Sequence, residues 1–340
     1  MASFFDFVRD QRTKLPIVQA PATLTGGTYV VTGANTGLGF ECAKHLVRLG
    51  AARVVLAVRS RERGDAALMA IRKATGRHDV GEVWELDLAS SDSIEAFAKR
   101  LDALDRLDAL IENASIIITR FNVAEGMELS LMVNVVGTML LAVRALPKLQ
   151  QSAHKFNIQG HLVVVSSTAA LGSKMKGTVD GLQGDVFDAL SQEKNFNARV
   201  QYPTTKLLQI YAVRQLASLF PVSETNVIIN MTNPGLCYTE LDRNLPCVGR
   251  LYMAGMRKML ARTAEEGSWM LLQAAFASTE SHGKWCSECA IKDHVIPPWV
   301  SDNDGARTQK RVWVDLVKRL DAQGHGLDVG RLLAETTEAN

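Results

Sequence analysis

The sequence has little of three things that would place a protein in a specialised class: cysteine, net charge and long apolar runs. Its 340 residues include 5 cysteines, an odd number that does not resemble a disulfide framework and that fits a reducing compartment. The 38 basic and 36 acidic residues leave a net charge of +2, which gives no field for binding a polyanion. We therefore expect neither a disulfide-stapled secreted domain nor a nucleic-acid partner.

Uninterrupted apolar segments are also missing. The richest stretch, TMLLAVRALPKL, contains Arg144 and Pro147, and we expect no integral membrane segment. The N-terminal stretch MASFFDFVRDQRTK lacks the basic start and the long apolar middle of a secretory signal. Cytoplasmic localisation is the expectation that follows.

The sequence does contain a regular alternation of strand-like and helix-like stretches. Six segments are apolar at nearly every position and rich in β-branched residues, at 28–34, 52–59, 82–88, 107–113, 161–167 and 226–232. Helix-like stretches separate them, and such a pattern is typical of a parallel sheet covered on both faces. We predict an α/β fold with a single-domain, doubly wound (Rossmann) parallel sheet and helices on both faces. Ligands of such sheets bind beyond the carboxyl ends of the strands.

The first strand runs into a glycine-rich loop, TGANTGLG at 32–39, which leads directly into a helix. Its three glycines permit a tight turn and let backbone N–H groups approach a pyrophosphate at the helix N-terminus. This strand-to-helix position is the one that a dinucleotide site requires. We predict cofactor contacts from Gly33, Asn35, Thr36, Gly37, Leu38 and Gly39.

The end of the second strand indicates which dinucleotide binds. NAD sites place a carboxylate here for the ribose 2′-hydroxyl, but this chain has Arg59 and Ser60 instead. A guanidinium suits a 2′-phosphate through charge-assisted hydrogen bonds, so NADP(H) is favoured over NAD(H). Arg61 and Arg63 would either help Arg59 to bind the 2′-phosphate or form the solvated start of a helix.

Further polar groups follow the next two strands. Asp87 would accept from an adenine amino group or cap the following helix, and Asn113 would line the adenosine ribose. Asn134 interrupts an apolar helix-like stretch, which fits either a buried structural hydrogen bond or a functional role. The predicted adenosine contacts are Asp87, Leu88, Asn113 and Ala114.

Tyr202 and Lys206 are four positions apart in YPTTK, at the start of an apolar helix-like stretch. That spacing puts them on one helix face, where a lysine ammonium favours a tyrosinate. The glycine-rich loop, Asn134, the pair Ser166 and Ser167, and this Tyr–Lys pair occur in the order found in the short-chain dehydrogenase/reductase family. The sequence resembles the non-extended subdivision of that family from about residue 26 to about 295. The phrases LAVRSRERG, SSTAALG and GKWCSECAI are similar to its retinol-dehydrogenase-like branch and fungal relatives.

The resemblance implies a catalytic set. Tyr202 would be the general acid/base at a carbonyl oxygen, and Lys206 would lower the pKa of the tyrosine and bind the nicotinamide ribose. Ser167, rather than Ser166, would hold the substrate oxygen. Asn134 would position a water that links the lysine to a proton relay. Together with Arg59 after the second strand, these roles imply an NADP(H)-dependent carbonyl reductase or alcohol dehydrogenase. Its substrate would be a small hydrophobic carbonyl or alcohol if residues 236–262 form a lid over an apolar ligand.

The family pattern PG-x-x-x-T is matched by Pro234, Gly235 and Thr239, which would receive the nicotinamide end and the pyrophosphate. The resemblance also implies a homodimer or homotetramer formed through helices flanking the site. Two departures stand out. The common NNAG motif is ENAS here, and Pro203 after Tyr202 predicts that the helix begins at or just after the tyrosine.

We predict three parts of the chain: an N-terminal extension at 1–25, the catalytic domain at 26–300 and a helical tail at 301–340. The 35 positions between Ser167 and Tyr202 exceed the usual spacing of the family, so 168–201 is interpreted as an insertion beside the substrate site. Residues 236–262 mix aromatic residues, Met and Leu with Gly and Pro, as a lid over an apolar ligand would. The amphipathic stretch 311–320 would dock on its own chain, on a second subunit or on a membrane.

The sequence also bears on three alternatives. A non-catalytic NADP(H)-binding sensor or scaffold would not need all four catalytic residues. A sugar-nucleotide epimerase or dehydratase usually has the loop TG-x-x-G-x-x-G, a spacing this chain lacks. A zinc site is disfavoured because strand-like alternation points neighbouring side chains to opposite faces, and we predict no metal among its imagined ligands His282, Cys286, Cys289 and His294.

Overall fold

The computed structural model describes residues 4–16, 18, 21, 24–241, 247–323 and 327–333. The strands in these ranges are β1 (Thr28–Thr32), β2 (Arg53–Val58), β3 (Gly81–Glu85), β4 (Ala109–Glu112), β5 (Val123–Ala124), β6 (Met127–Glu128), β7 (Gly160–Val165), β8 (Val227–Asn233), β9 (Trp285–Ser287) and β10 (Ala290–Ile291).

The helices are α1 (Phe4–Arg12), α2 (Gly37–Leu49), α3 (Arg61–Thr75), α4 (Ser91–Asp102), α5 (Leu129–Leu131), α6 (Thr138–Phe156), α7 (Val186–Leu190), α8 (Gln201–Leu219), α9 (Val222–Thr225), α10 (Cys247–Leu260), α11 (Ala264–Ala275), α12 (Pro298–Ser301), α13 (Asn303–Gln323) and α14 (Val329–Leu333). A π-helical turn, Met132–Gly137, joins α5 to α6. Short 3₁₀ turns include Thr168–Leu171 and Asp293–Val295.

Within the described residues, eight strands form one sheet in the order β10-β9-β8-β7-β4-β1-β2-β3. All neighbours in it are parallel except the hairpin of β9 and β10 at one edge. The six predicted strands correspond to β1 to β4, β7 and β8, so the predicted doubly wound α/β fold is confirmed. The order reverses between β1 and β4, which is where such a sheet opens a ligand crevice.

The sheet is buried on both faces because its strands alternate between two apolar layers. In β1, Val30 packs with Phe97 of α4 and Leu208 of α8 on one face. Val31 packs on the other face with Leu46 of α2 and residues of α3 and α11. Each fully buried aliphatic side chain stabilises the fold by about 1.5–3 kcal/mol.

One helical stretch reaches the length and apolar composition of a membrane span, although the sequence shows no uninterrupted apolar run. Residues 129–156, which comprise α5, the π-helical turn and α6, are long and apolar enough by length and composition. In the fold, however, 89% of the apolar window is buried, and the helix packs against β4 and β7. Arg144 ends in a 2.9 Å ion pair with Glu95 of α4. The stretch therefore has the surroundings of a core helix.

The C-terminal helix α13 docks on its own chain, one of the three outcomes that the sequence left open. Its buried face, which includes Trp313 and Leu316, packs against α8. Asp315 accepts a hydrogen bond from the backbone N–H of Val186 at 3.0 Å, and Arg319 pairs with Asp185 at 2.6 Å. The tail thus fixes the start of α7, inside the 168–201 segment.

Candidate active site

One cavity of about 1360 Å³ lies at the carboxyl ends of the parallel strands. Both ends of the predicted site open into it, the glycine-rich loop on one side and Tyr202 on the other. The predicted residues that line it are Gly33, Asn35, Thr36, Gly37, Leu38, Arg59, Asp87, Leu88, Asn113, Ala114, Ser167, Tyr202, Lys206, Pro234, Gly235 and Thr239. Gly39 and Asn134 do not line it.

The glycine-rich loop turns through left-handed backbone at Gly33 (φ 66°) and Gly37 (φ 60°), and α2 begins at Gly37. Thr36 precedes the helix in an extended conformation and makes no side-chain cap. The first backbone N–H groups of α2 are therefore not capped by that side chain. A Cβ added at Gly37 would lie 3.4 Å from the methyl group of Thr239, so Thr239 covers the loop.

Gly39 supports the loop from behind, which differs from its predicted role as a cofactor contact. A Cβ at this position would lie 2.6 Å from the side-chain nitrogen of Asn113 and 2.7 Å from the carbonyl oxygen of Gly33. Asn113 donates from that nitrogen to the carbonyl oxygen of Thr32 at 2.9 Å. Glycine is needed here so that α2 can approach this hydrogen bond closely.

The end of β2 presents an exposed guanidinium to the cavity. Arg59 has no hydrogen bond or ion pair recorded with the described residues, and it lines the cavity together with Arg63. Arg61 instead forms an exposed ion pair with Asp65 at 3.4 Å and does not line the cavity. Of the two predicted helpers, only Arg63 is therefore near the site.

Asp87 lies in the turn after β3. Its carboxylate accepts from the backbone N–H of Ala89 at 3.0 Å, whereas Ser90 is the residue that caps α4. The carboxylate thus stabilises the turn while it lines the cavity.

Tyr202 lies in the first turn of α8, which begins one residue earlier than Pro203 predicted. Proline is tolerated there because backbone N–H groups in the first turn have no intrahelical partner. The Lys206 ammonium nitrogen lies 5.6 Å from the centroid of the tyrosine ring, on the same helix face. Lys206 is only 2% exposed and donates to the carbonyl oxygen of Val165 at 2.8 Å.

The resemblance implied a lowered tyrosine pKa, but in the protein alone burial acts in the other direction. It raises the pKa of Tyr202 to about 12, and a hydrogen bond with Ser167 opposes that rise. Burial also lowers the pKa of Lys206 to about 7, because a buried ammonium loses its hydration. The loss of hydration therefore weakens the preference of this lysine for the charged form.

The two serines after β7 have different surroundings. The Ser167 hydroxyl bonds to Tyr202 and accepts from the backbone N–H of Ala169 at 3.2 Å, where it caps a 3₁₀ turn. The hydroxyl of Ser166 is buried and has no hydrogen-bond partner among the described residues. The contact with Tyr202 favours Ser167 as the functional serine.

Asn134 is completely buried in the π-helical turn, and its side chain is fully occupied. The amide oxygen accepts from the Ser115 hydroxyl at 3.0 Å and from the backbone N–H of Ile116 at 2.9 Å. The amide nitrogen donates to the Ile116 carbonyl at 2.9 Å and to the Thr205 hydroxyl at 3.1 Å. The side chain thus anchors the loop after β4 to α8.

Comparison with known proteins identifies the family. The profile of the family described as short chain dehydrogenase matches residues 28–179. A short chain dehydrogenase/reductase of Cryptosporiopsis, dmxR8, is 41% identical over 88% of this chain and 91% of its own. The short chain dehydrogenase atnD of Emericella nidulans is 38% identical over 82% of this chain and 88% of its own.

The chain belongs to the short-chain dehydrogenase/reductase family. Solved structures agree in fold. The Pseudomonas aeruginosa RhlG/NADP active-site complex has a TM-score of 0.56 at 20% identity, covering 77% of this chain and 94% of that one. A short-chain dehydrogenase from Sphingobium yanoikuyae in complex with NADPH has a TM-score of 0.53 at 22% identity, covering 71% and 81%. This protein is accordingly an oxidoreductase of that family.

Sequence reasoning missed the part that α1 plays in this short-chain dehydrogenase/reductase. Phe7 and Gln11 are among its residues that line the cavity. The Gln11 amide nitrogen donates to the carbonyl oxygens of Leu236 and Leu260, both at 2.9 Å, and its oxygen accepts from the Leu236 N–H at 2.9 Å. One glutamine therefore joins three segments, and no local pattern reveals contacts across more than 220 positions.

The oxidoreductase also has apolar walls that the sequence did not specify. Ile116 and Ile117 come from the loop after β4, Leu171 from the 168–201 segment, Met253 from α10 and Ile296 from the segment after β10. These residues are separated in sequence and meet only because four connections end at the same edge of the sheet.

The imagined zinc ligands are not grouped as a metal site. Both ring nitrogens of His282 are used in backbone contacts, 3.2 Å to the N–H of Ile229 and 2.8 Å to the carbonyl oxygen of Ala217. Cys286 is a buried residue of β9, and burial raises the pKa of its thiol to about 12.

In the part of the chain that the structure describes, one other group brings three potential ligands together: Glu41, His45 and Glu265, on α2 and α11. The ammonium of Lys44 forms an ion pair with Glu41. Arg48 lies 3.8 Å from the carboxylate of Glu265, so each of the two carboxylates already has a cationic partner from the protein.

Proposed function

We propose that this oxidoreductase interconverts a hydrophobic ketone or aldehyde and its alcohol, with NADP(H) as the hydride carrier and Tyr202 as the general acid/base. The observation that carries the proposal is the shared cavity. Tyr202, bonded to Ser167, opens into the same space as the glycine-rich loop and the exposed Arg59. A dinucleotide and a small substrate would thus meet at the tyrosine.

The residues present fit an NADP(H) molecule. Gly33 and Gly37 have no side chains, Thr239 covers the loop, and Arg59 is an exposed guanidinium with no recorded ionic partner. Arg59 suits a 2′-phosphate because a guanidinium makes paired, charge-assisted hydrogen bonds to phosphate oxygens. Lys206 would bind the nicotinamide ribose from its place on α8. The RhlG structure, which has the same fold, is a complex with NADP.

Reduction of a carbonyl needs a hydride from the cofactor and a proton from the protein. NADPH supplies the hydride when it is bound, and charge then develops on the substrate oxygen. Ser167 donates a hydrogen bond to that oxygen, and Tyr202 donates the proton that completes the alcohol. In the reverse direction Tyr202 accepts the proton. Because burial raises the pKa of Tyr202 to about 12, the phenol is protonated at neutral pH and ready to act as an acid.

The apolar walls support a hydrophobic substrate. Ile116, Leu171, Met253 and Ile296 contribute side chains to a cavity whose other end carries the charged groups. Burial of an apolar ligand against such walls gains free energy in proportion to the area covered. The 168–201 segment supplies one of these walls, which agrees with its proposed role beside the substrate.

The test is NADPH consumption by the purified protein with a panel of hydrophobic ketones, aldehydes and quinones. Tyr202→Phe should bind NADPH nearly normally and lose about 10²- to 10⁴-fold in turnover, because the general acid is gone. Wild-type activity that survives in Tyr202→Phe would remove the tyrosine from the mechanism. NADPH binding without turnover on the whole panel would favour the sensor or scaffold alternative.

Arg59→Asp tests the cofactor preference separately. It should weaken NADPH binding by about tenfold to a hundredfold, since a hydrogen bond to a charged group is lost, and leave NADH nearly unaffected. Arg61→Asp is the matched control, because Arg61 lies outside the cavity. Equal losses for both cofactors would contradict the assignment of the 2′-phosphate to Arg59.

A further inference from the structure

A buried amide on α8 joins two members of the predicted catalytic set. Gln209 is 1% exposed, and its side-chain oxygen accepts a hydrogen bond from the Lys206 ammonium at 3.0 Å. Its side-chain nitrogen donates to the main-chain carbonyl oxygen of Asn134. The contacts form an unbroken chain from the lysine to the π-helical turn.

We propose that Gln209 is a positioning residue, whose amide fixes Lys206 beside Tyr202 by tying it to the Asn134 carbonyl. A lysine ammonium has three N–H donors. One is used by the carbonyl oxygen of Val165 and one by Gln209, so the third remains for the cavity that Lys206 lines. The direction of that third donor is therefore set by the other two.

The π-helical turn provides the acceptor at the far end of this chain. In a π-helical turn the i→i+5 pattern replaces the ordinary i→i+4 hydrogen bond, which leaves carbonyl groups differently placed. The Asn134 carbonyl accepts from Gln209, while the Asn134 side chain is occupied elsewhere. Asn134 thus acts on Lys206 through an amide.

The pKa of Lys206 is a sensitive measure of its contact with Gln209, because few other polar groups contact its ammonium. Burial is the cause of its lowered pKa, which is about 7, and Tyr202 is the titratable side chain recorded in contact with it among the described residues. Two elements present neutral groups to it, α8 through the amide of Gln209 and β7 through the carbonyl of Val165. A charge placed at Gln209 would therefore act on the lysine directly.

The experiment measures the pKa of Lys206 itself by NMR, from the ε-carbon shift of labelled lysine, with Lys206→Met for assignment. Gln209→Glu keeps the shape, places a carboxylate against the ammonium and should raise the pKa by about one unit or more. Gln209→Leu removes an acceptor and should lower it by about one unit. Gln215→Glu is the control, because Gln215 is a buried amide of the same helix that bonds to Ser218 and Gln309.

Opposite shifts in the two variants, with none in the control, would support the proposal. Unchanged values, shifts in one common direction, or an equal shift in Gln215→Glu would overturn it. If Gln209→Leu does not fold, the pKa of Lys206 in the isosteric variant Gln209→Glu still tests the proposal. The mechanistic significance of Gln209 depends on the proposed function, yet this readout needs no turnover. Shifts without activity on any substrate would count against the reductase proposal and leave the Gln209 contact in place.

Discussion

Glu112, which departs from the family motif, should make the stability of this protein fall as the pH rises. It is the last residue of β4, pairs in register with Val164 and is 2% exposed. Neither carboxylate oxygen has a hydrogen-bond partner among the described residues. Burial therefore raises the pKa of Glu112 well above its ordinary value of 4.5.

The sign follows from proton binding. Above pH 4.5 the unfolded chain releases the Glu112 proton, while the folded protein keeps it until its raised pKa is reached. The contribution of Glu112 to the free energy of unfolding is therefore most favourable below pH 4.5. It is lost progressively as the pH rises from 4.5 towards the raised pKa of the folded protein. The slope is about 1.4 kcal/mol per pH unit. Glu112→Gln removes the titration and should be increasingly more stable than the wild type.

The assay is urea denaturation of both proteins from pH 5 to 8. Glu82→Gln is a matched control from β3 of the same sheet, where Arg53 and Trp84 bond to the carboxylate at 2.6 and 3.0 Å. Those contacts lower the pKa of Glu82, so its variant should show no added pH dependence in this range. Parallel stability curves for Glu112→Gln and the wild type would refute the argument that Glu112 is buried as a neutral acid.

Three further outcomes are expected. Gly137→Ala should lower the free energy of unfolding in urea by about 3 kcal/mol, because the added Cβ would lie 2.2 Å from the carbonyl oxygen of Leu88. This value is at the upper end for overpacking. The control Gly255→Ala, whose added Cβ would lie in open space, should not destabilise the fold. Gln11→Leu should cost about 1–3 kcal/mol in the same assay, since it leaves the backbone N–H of Leu236 unpaired, and an unchanged midpoint would contradict the contact. The helix α13 covers α8, so light scattering should show a monomer, in contrast to the dimer or tetramer that the family resemblance implies. A dimer would contradict this expectation and show that a surface other than α8 associates.

The sequence alone predicted most of the residues that line the proposed site, because their placement is encoded in short, local patterns. The strand–TGANTGLG–helix order requires glycine where the backbone turns through positive φ, and Gly33 and Gly37 do so. The spacing of Tyr202 and Lys206 places them on one helix face whatever the rest of the fold does. Arg59 follows a strand, so its place at the sheet edge also follows from local structure.

Only the tertiary structure decided how these groups are held and charged. Asn134 turned out to have its side chain bonded to the loop after β4 and its carbonyl bonded to Gln209, partners 18 and 75 positions away. The pKa of Tyr202 depends on burial, which the spacing to Lys206 does not reveal. Gln11 reaches the site from the far end of the chain. Local sequence determines which groups are available, whereas long-range packing determines hydration and hydrogen bonding, and therefore their protonation and position.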